Sequence, residues 1–342
     1  MSSSIDRPTR RALVTVAGLG VGAGLLRPAA ALAQSAAPSG GPDVWSAEYT
    51  AKKGDVSLAT YRKRASAPKS GEAPLPVLLL VHGSSVSAQP TYDLTVPGHG
   101  DYSVMNAFAQ LGYDVWAVDH ENYGRSSRTE GKSDIASGVE DLNAVVELIV
   151  AETGRQKVHM FGESSGGLRA GAYAMVRPGR VDRLVLAAFT YKGEGSPTLA
   201  KRAEQVEYFK THNRRKRDRE MIESIFTRDK PGTSDPAMVK VLADAELKYG
   251  EEVPTGTYLD MTAHLPVVDP KRVPGPVMLI RGEYDGIATV DDLVDFYKQL
   301  PNGDRQFVIL PGTAHSVVWG LNRREFWHAT HAFLTMPPPV TA

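Results

Sequence analysis

The sequence predicts an α/β fold with a mostly parallel central sheet flanked by helices. Short apolar runs that read as strands alternate along the chain with segments of helical periodicity. Such alternation is typical of a sheet covered by helices on both faces. The 342 residues, 42% of them hydrophobic, are enough to bury a full core. Because ligands of parallel sheets bind at the carboxyl ends of strands, we expect the functional residues there.

Six apolar runs are the predicted strands of this sheet. They cover 76–81, 113–118, 158–161, 184–188, 277–280 and 307–310. The clearest predicted helix closes at Gly154, and its apolar face is formed by Ile135, Val139, Leu142, Val146 and Ile149. The strands and helices therefore alternate as the fold class requires.

The motif Gly-Glu-Ser-Ser-Gly, residues 162–166, directly follows the third predicted strand and precedes a predicted helix. In that setting G-x-S-x-G is typical of a nucleophile elbow, with a plain turn as the alternative interpretation. The spacing selects Ser164 as the nucleophile, because Gly162 and Gly166 remove Cβ atoms that would collide in so sharp a turn. The N–H of Ser165, at a helix start, would then face a developing oxyanion.

A serine nucleophile needs a base and an acid that orients the base. Asp285 lies just past the fifth predicted strand, and His315 lies just past the sixth. Glu283 is a competing acid, but it is two residues nearer its strand and would point elsewhere. The sequence thus predicts Ser164, Asp285 and His315 as a catalytic triad, in that chain order.

A second oxyanion donor is expected after the first predicted strand. There the pair His82-Gly83 allows a tight loop that would turn the N–H of Ser84 toward Ser164. No metal site and no cofactor are predicted, and the absence of cysteine excludes thiolate ligands and a thiol nucleophile.

These landmarks together resemble the α/β-hydrolase superfamily, over about residues 45–335. The resemblance implies the α/β-hydrolase fold, and the order Ser, Asp, His matches that of the superfamily. Residues 119–127, DHENYGRSS, also look like a segment of the family, although Asn122 stands where a glycine is usual.

The stretch between the fourth and fifth predicted strands is too long for a simple connection. Pro and Gly divide it into predicted helices over 199–209, 219–226 and 238–249. We therefore predict a helical cap over 191–272, inserted in a core of 43–190 and 273–342, as in many members of the superfamily. The basic run 214–217 is interpreted as a solvated helix face rather than a site for an anionic partner. Tyr191 and Trp319 are candidate walls of the substrate pocket, with ordinary packing as the alternative.

The N-terminal 33 residues resemble a cleaved export signal. Arg10 and Arg11 precede a weakly apolar run that is too short to span a membrane, and small residues follow it. The paired arginines favour the twin-arginine type, whereas Leu13, where phenylalanine is usual, leaves a Sec signal as the alternative. Residues 34–42 are predicted to be a disordered leader. The mature protein is expected in the periplasm or outside the cell, without a membrane anchor.

The charge balance excludes a global attraction to nucleic acid. Lys plus Arg and Asp plus Glu number 39 each, so the expected partner is a small-molecule substrate. The oligomeric state is not predicted by the sequence.

The predicted triad favours acyl transfer, so the main expectation is an exported serine hydrolase that cleaves a small or medium carboxylic ester through an acyl-enzyme. The alternatives are a C–C bond hydrolase, a lactonase or an amidase, and, more distantly, a non-catalytic binding protein. The ester is preferred because no motif supplies an acid for a departing carbon or an arginine for an anionic substrate.

Overall fold

The computed structural model describes residues 44–338. The predicted signal, 1–33, and leader, 34–42, lie outside the described residues, so both stay predictions. The strands are β1 (Trp45–Lys53), β2 (Val56–Arg64), β3 (Val77–Val81), β4 (Asp114–Val118), β5 (Val158–Glu163), β6 (Val181–Ala187), β7 (Arg214–Lys216), β8 (Glu252–Pro254), β9 (Val277–Gly282) and β10 (Arg305–Leu310).

Helices follow most of the strands. They are α1 (Ala88–Tyr92), α2 (Val104–Gln110), α3 (Ile135–Thr153), α4 (Ser165–Val176), α5 (Pro197–Ala203), α6 (Val206–Thr211), α7 (Arg219–Ser224), α8 (Pro236–Leu247), α9 (Gly256–Ala263), α10 (Val290–Gln299) and α11 (Arg323–Leu334), with short 3-10 turns at Pro178–Arg180 and Pro270–Arg272. Within residues 44–338, none of these helices has the length and apolar character needed to cross a bilayer.

The central sheet has eight strands in the order β1-β2-β4-β3-β5-β6-β9-β10. The six strands from β4 to β10 in that order are the six that the sequence predicts, and all of them pair in parallel. Apolar side chains pack on both faces, for example Leu79 on one face and Leu78 and Leu80 on the other. The predicted α/β-hydrolase fold class is confirmed.

The hairpin β1–β2 was not predicted. Its two strands are antiparallel, a two-residue turn of Gly54 and Asp55 joins them, and β2 pairs antiparallel with β4. Ala47, Tyr49 and Ala51 point into the core, so the period-two alternation and the Gly-Asp turn were readable in the sequence.

The segment 191–272 contains α5 to α9 and a two-stranded ribbon of β7 and β8. The interpretation of residues 214–217 as a solvated helix face is wrong, because three of them form β7. Arg217 is buried and pairs with Glu246 at 2.6 Å, and Arg214 donates to the Asn122 side chain at 2.7 Å. Ribbon pairing and partners distant in the sequence hold Arg214 and Arg217, which short-range helical periodicity could not anticipate. The division into cap and core stays a prediction.

Asn122 occupies its glycine-like position without disrupting the loop after β4. Its φ is 70°, in the left-handed region that asparagine tolerates better than most residues. Its side-chain amide donates to the hydroxyl of Ser133 at 3.0 Å and accepts from the N–H of Thr129 at 2.7 Å. The side chain thereby supplies local bonds that glycine could not.

Candidate active site

Ser164 lies in a sharp turn between β5, which ends at Glu163, and α4, which begins at Ser165. Its φ of 58° and ψ of −124° are strained for a residue with a side chain. A Cβ at Gly162 would collide with the backbone of Gly166, and one at Gly166 would collide with the backbone of Val81 and His82, at the end of β3. The turn therefore requires the two glycines of the motif and turns the Ser164 side chain out of the sheet.

Asp285 and His315 follow neighbouring parallel strands, β9 and β10, and meet at one edge of the sheet. The Nδ1 of His315 lies 2.8 Å from the Oδ1 of Asp285, and both side chains are buried. Burial opposes ionisation of Asp285, but the charge of His315 and their hydrogen bond outweigh it and hold the carboxyl pKa below its ordinary value. The N–H of Ile287 also donates to Asp285, at 3.0 Å.

Glu283, the competing acid, lies away from this pair. It is exposed and accepts a hydrogen bond of 2.8 Å from the N–H of Gly312. The partner of His315 is therefore Asp285.

A cavity of about 40 Å³ brings Ser164 and His315 together with Gly83, Ser84 and Trp319. Within residues 44–338 the Oγ of Ser164 has no hydrogen-bond partner. Catalytic hydrogen bonds commonly tighten only when substrate is bound. The cavity holds a nucleophile and a base, as the sequence predicts, and we refer to it as the active-site cavity.

The loop after β3 lies against the elbow. A Cβ at Gly83 would lie 3.3 Å from both the Ser164 Cβ and the Glu163 carbonyl oxygen, so glycine allows the close approach. The hydroxyl of Ser84 donates to that of Ser165 at 2.8 Å. The N–H of Ser165, at the first position of α4, has no acceptor within its helix. Both residues predicted as oxyanion donors thus lie beside Ser164.

The two candidate pocket walls lie in different places. Trp319 lines the active-site cavity. Tyr191 is not among the residues lining it, because its ring packs in the core against Phe296 at 5.2 Å between centroids. Tyr191 is therefore a residue of the core and does not line the active-site cavity.

Three acidic or basic residues of the active-site cavity were given no role in the sequence analysis: Glu163, Arg202 and Arg228. Glu163 is buried, one carboxyl oxygen has no hydrogen-bond partner within residues 44–338, and burial raises its pKa to about 8. Burial also lowers the pKa of Arg202 to about 10, which leaves its guanidinium charged at neutral pH. The two arginines belong to the 191–272 segment, in which no sequence motif indicates which side chains face the nucleophile.

A third carboxylate lies close to the His315–Asp285 pair. Ligand atoms of Asp229, Asp285 and His315 all lie within 4.8 Å of one another, the only such group of potential metal ligands found in residues 44–338. The Nε of Arg228 contacts an Asp229 oxygen at 3.0 Å, and His315 and Asp285 are hydrogen-bonded to each other. The three groups thus already have protein partners, and the arrangement fits a catalytic pair better than a metal centre.

The family was identified by comparison with known proteins. A family profile described as "Serine aminopeptidase, S33" matches residues 98–320, which include Ser164, Asp285 and His315. The chain belongs to this family. The family match and the observed fold together make the chain a member of the α/β-hydrolase superfamily, as the resemblance implied.

Two curated relatives match a shorter part of this S33 family chain. They are 2-hydroxy-6-oxononadienedioate/2-hydroxy-6-oxononatrienedioate hydrolases from Paraburkholderia phymatum and Burkholderia vietnamiensis, 36% and 35% identical over 123 residues. The matched region covers 35% of this chain and 38% of each relative, so the chain spans less than half of the length of either relative.

Solved structures share the fold of this S33 family chain. A 2-hydroxy-6-oxo-6-phenylhexa-2,4-dienoate hydrolase from Rhodococcus sp. strain RHA1 has a TM-score of 0.61 at 20% identity, over 86% of this chain and 100% of that one. The carboxylesterase CesB from Bacillus subtilis has a TM-score of 0.59 at 18% identity, over 85% and 92%. At these identities the likeness supports the fold and not a particular substrate.

Proposed function

We propose that this chain is a serine hydrolase that cleaves a carbon–carbon bond beside a carbonyl in a small, carboxylate-bearing diketone. The observation that carries the proposal is the position of Arg202 and Arg228, which line the active-site cavity together with Ser164 and His315. A guanidinium beside the nucleophile suits a substrate that carries a carboxylate close to its reacting carbonyl. The names of the two curated relatives, both hydrolases of oxo-dioates, agree with this choice.

The proposed reaction uses the residues of the cavity in two steps. His315 takes the proton of Ser164, the Oγ attacks the carbonyl carbon, and the N–H groups of Ser84 and Ser165 hold the oxyanion. The C–C bond then breaks, its electrons go to the departing carbon, and the imidazolium of His315 protonates that carbon. In the second step His315 removes a proton from water, and the hydroxide hydrolyses the acyl-enzyme to release a carboxylic acid and free Ser164.

The ester expectation loses part of its support at this cavity. It was preferred because no motif offered an acid for a departing carbon or an arginine for an anionic substrate. An uncharged ester would make no use of the guanidinium of Arg202, which has no salt bridge within residues 44–338, and would leave its charge facing an apolar acyl chain. Ester hydrolysis would therefore be a side activity of the same triad.

The test compares three substrates: a vinylogous diketone with a carboxylate beside the reacting carbonyl, the same diketone with that carboxylate replaced by a methyl group, and p-nitrophenyl butyrate. We expect kcat/KM for the first to exceed the other two by more than about tenfold, or about 1.4 kcal/mol. In Arg202→Gln the carboxylate preference should fall. A higher kcat/KM for the ester, for a lactone or for a peptide amide would overturn the proposal.

A further inference from the structure

A second and larger cavity adjoins the active-site cavity. It measures about 540 Å³, and we call it the cap chamber. The two cavities share Ser85, Arg202, Ile225 and Arg228 in their walls. The active-site cavity, at about 40 Å³, is too small for a whole substrate, and the shared wall gives a molecule that reacts at Ser164 room to extend into the cap chamber.

Cations outnumber carboxylates in the cap chamber. Its walls carry Lys201, Arg202, Arg215 and Arg228, against the single carboxylate of Asp229, which contacts Arg228 at 3.0 Å. Within residues 44–338, Lys201, Arg202 and Arg215 form no salt bridge. Three charges without a counter-ion therefore converge on one cavity.

Several other basic residues of the same segment are paired with carboxylates. Arg217 contacts Glu246 at 2.6 Å, and Lys210 contacts Glu207 at 2.6 Å. Three cations of this segment that lack a carboxylate partner among the described residues thus lie together in the wall of one cavity. Like charges destabilise one another in such a site, and a bound anion would relieve that cost.

The ring of Tyr258 lines the cap chamber and lies against two of its guanidiniums. The Arg215 guanidinium carbon lies 4.6 Å from the ring centroid, and that of Arg202 lies 5.2 Å from it. The Tyr258 hydroxyl is 2.6 Å from that of Ser85, in the loop after β3. Cation–π contact fixes both guanidiniums beside the cavity without neutralising them.

We propose that Arg215, with Lys201 beside it, binds a second carboxylate at the distal end of the substrate, so that the preferred substrate is a dicarboxylate. Arg202 and Arg228 would hold the carboxylate near the reacting carbonyl, and Arg215 would hold the other. This inference rests on the proposed function for the chemistry at Ser164. Recognition of the distal carboxylate can nevertheless be measured without turnover.

The experiment is isothermal titration of Ser164→Ala, in the full chain, with adipate and with hexanoate. Both probes have six carbons, but only adipate carries the second carboxylate. We expect adipate to bind at least about tenfold more tightly, because a carboxylate gains charge-assisted hydrogen bonds from a guanidinium. Adding Arg215→Gln should remove most of that advantage, while Arg215→Lys should keep part of it.

Arg219→Gln is the matched control, because Arg219 belongs to the same segment but pairs with a carboxylate and does not line the chamber. It should leave the adipate advantage unchanged. Equal affinity for the two probes, or the same loss in Arg219→Gln as in Arg215→Gln, would overturn the inference. The two proposals can fail separately. If the native chain turns over the monocarboxylate diketone but the two probes bind equally, only the inference about Arg215 is contradicted. If adipate is preferred but no diketone is turned over, only the proposed function is contradicted.

Discussion

The hydroxyl of Thr257, near the start of α9, donates a hydrogen bond of 2.8 Å to the hydroxyl of Ser84, in the loop after β3. Ser84 in turn donates to Ser165, at the first position of α4, at 2.8 Å. A chain of three hydroxyl groups therefore links the 191–272 segment to both residues proposed as oxyanion donors. The position of these donors therefore depends on α9, which contains none of the catalytic motifs.

Thr257→Val should lower kcat by about tenfold with little change in KM, because the donors act on charge that develops only in the transition state. Steady-state kinetics on the diketone acid measure both constants. Thr262→Val is the control, since that hydroxyl bonds only to carbonyls of its own helix. An equal loss of kcat in the two variants would argue against the link.

Asp285→Asn should reduce kcat by about 10⁴, because the amide no longer holds the imidazole of His315 in the required tautomer. Glu283→Gln should leave kcat close to the native value, since Glu283 is exposed and bonds to Gly312. The comparison is made by measuring kcat of purified variants whose thermal stability matches that of the native protein. A larger loss in Glu283→Gln would assign the acid to that residue instead.

Glu163 should make the free energy of unfolding fall as pH rises. Burial raises its pKa from 4.5 to about 8, so between these values the native chain keeps a proton that the unfolded chain has lost. Unfolding therefore becomes easier over this window, and the effect levels off above pH 8. Denaturant titrations at pH 5, 6.5 and 8 should give a shallower decline in Glu163→Gln than in the native protein.

Glu283→Gln serves as the exposed control for this titration and should follow the native curve. Parallel curves for the native protein and Glu163→Gln would mean that Glu163 ionises in the native state at its ordinary pKa.

Export by the twin-arginine route can be tested on the full chain. Arg10→Lys with Arg11→Lys keeps the charge but removes the guanidinium pair. Cell fractionation should then find the protein in the cytoplasm, whereas Arg27→Lys, outside the pair, should be exported normally. If the mature form of the double mutant were found outside the cytoplasm, the signal would be of the Sec type.

The sequence predicted those parts of the site that depend on local geometry. An elbow at Ser164 demands glycines two residues to either side, and the strands before Asp285 and His315 are short apolar runs. A few adjacent residues therefore determine each of these features. Arg202 and Thr257 reach the site through the packing of an inserted segment. Nothing in their neighbouring residues marks them, and only the fold brings them to Ser164.

Covalent labelling identifies the nucleophile without a substrate, and we expect it to be Ser164. The mature chain is treated with a fluorophosphonate, digested, and mapped by mass spectrometry, with Ser164→Ala and Ser165→Ala alongside. We predict one adduct, on Ser164, that is absent from Ser164→Ala and present in Ser165→Ala. An adduct on Ser84 or Ser165, or an unlabelled native chain, would contradict the claim.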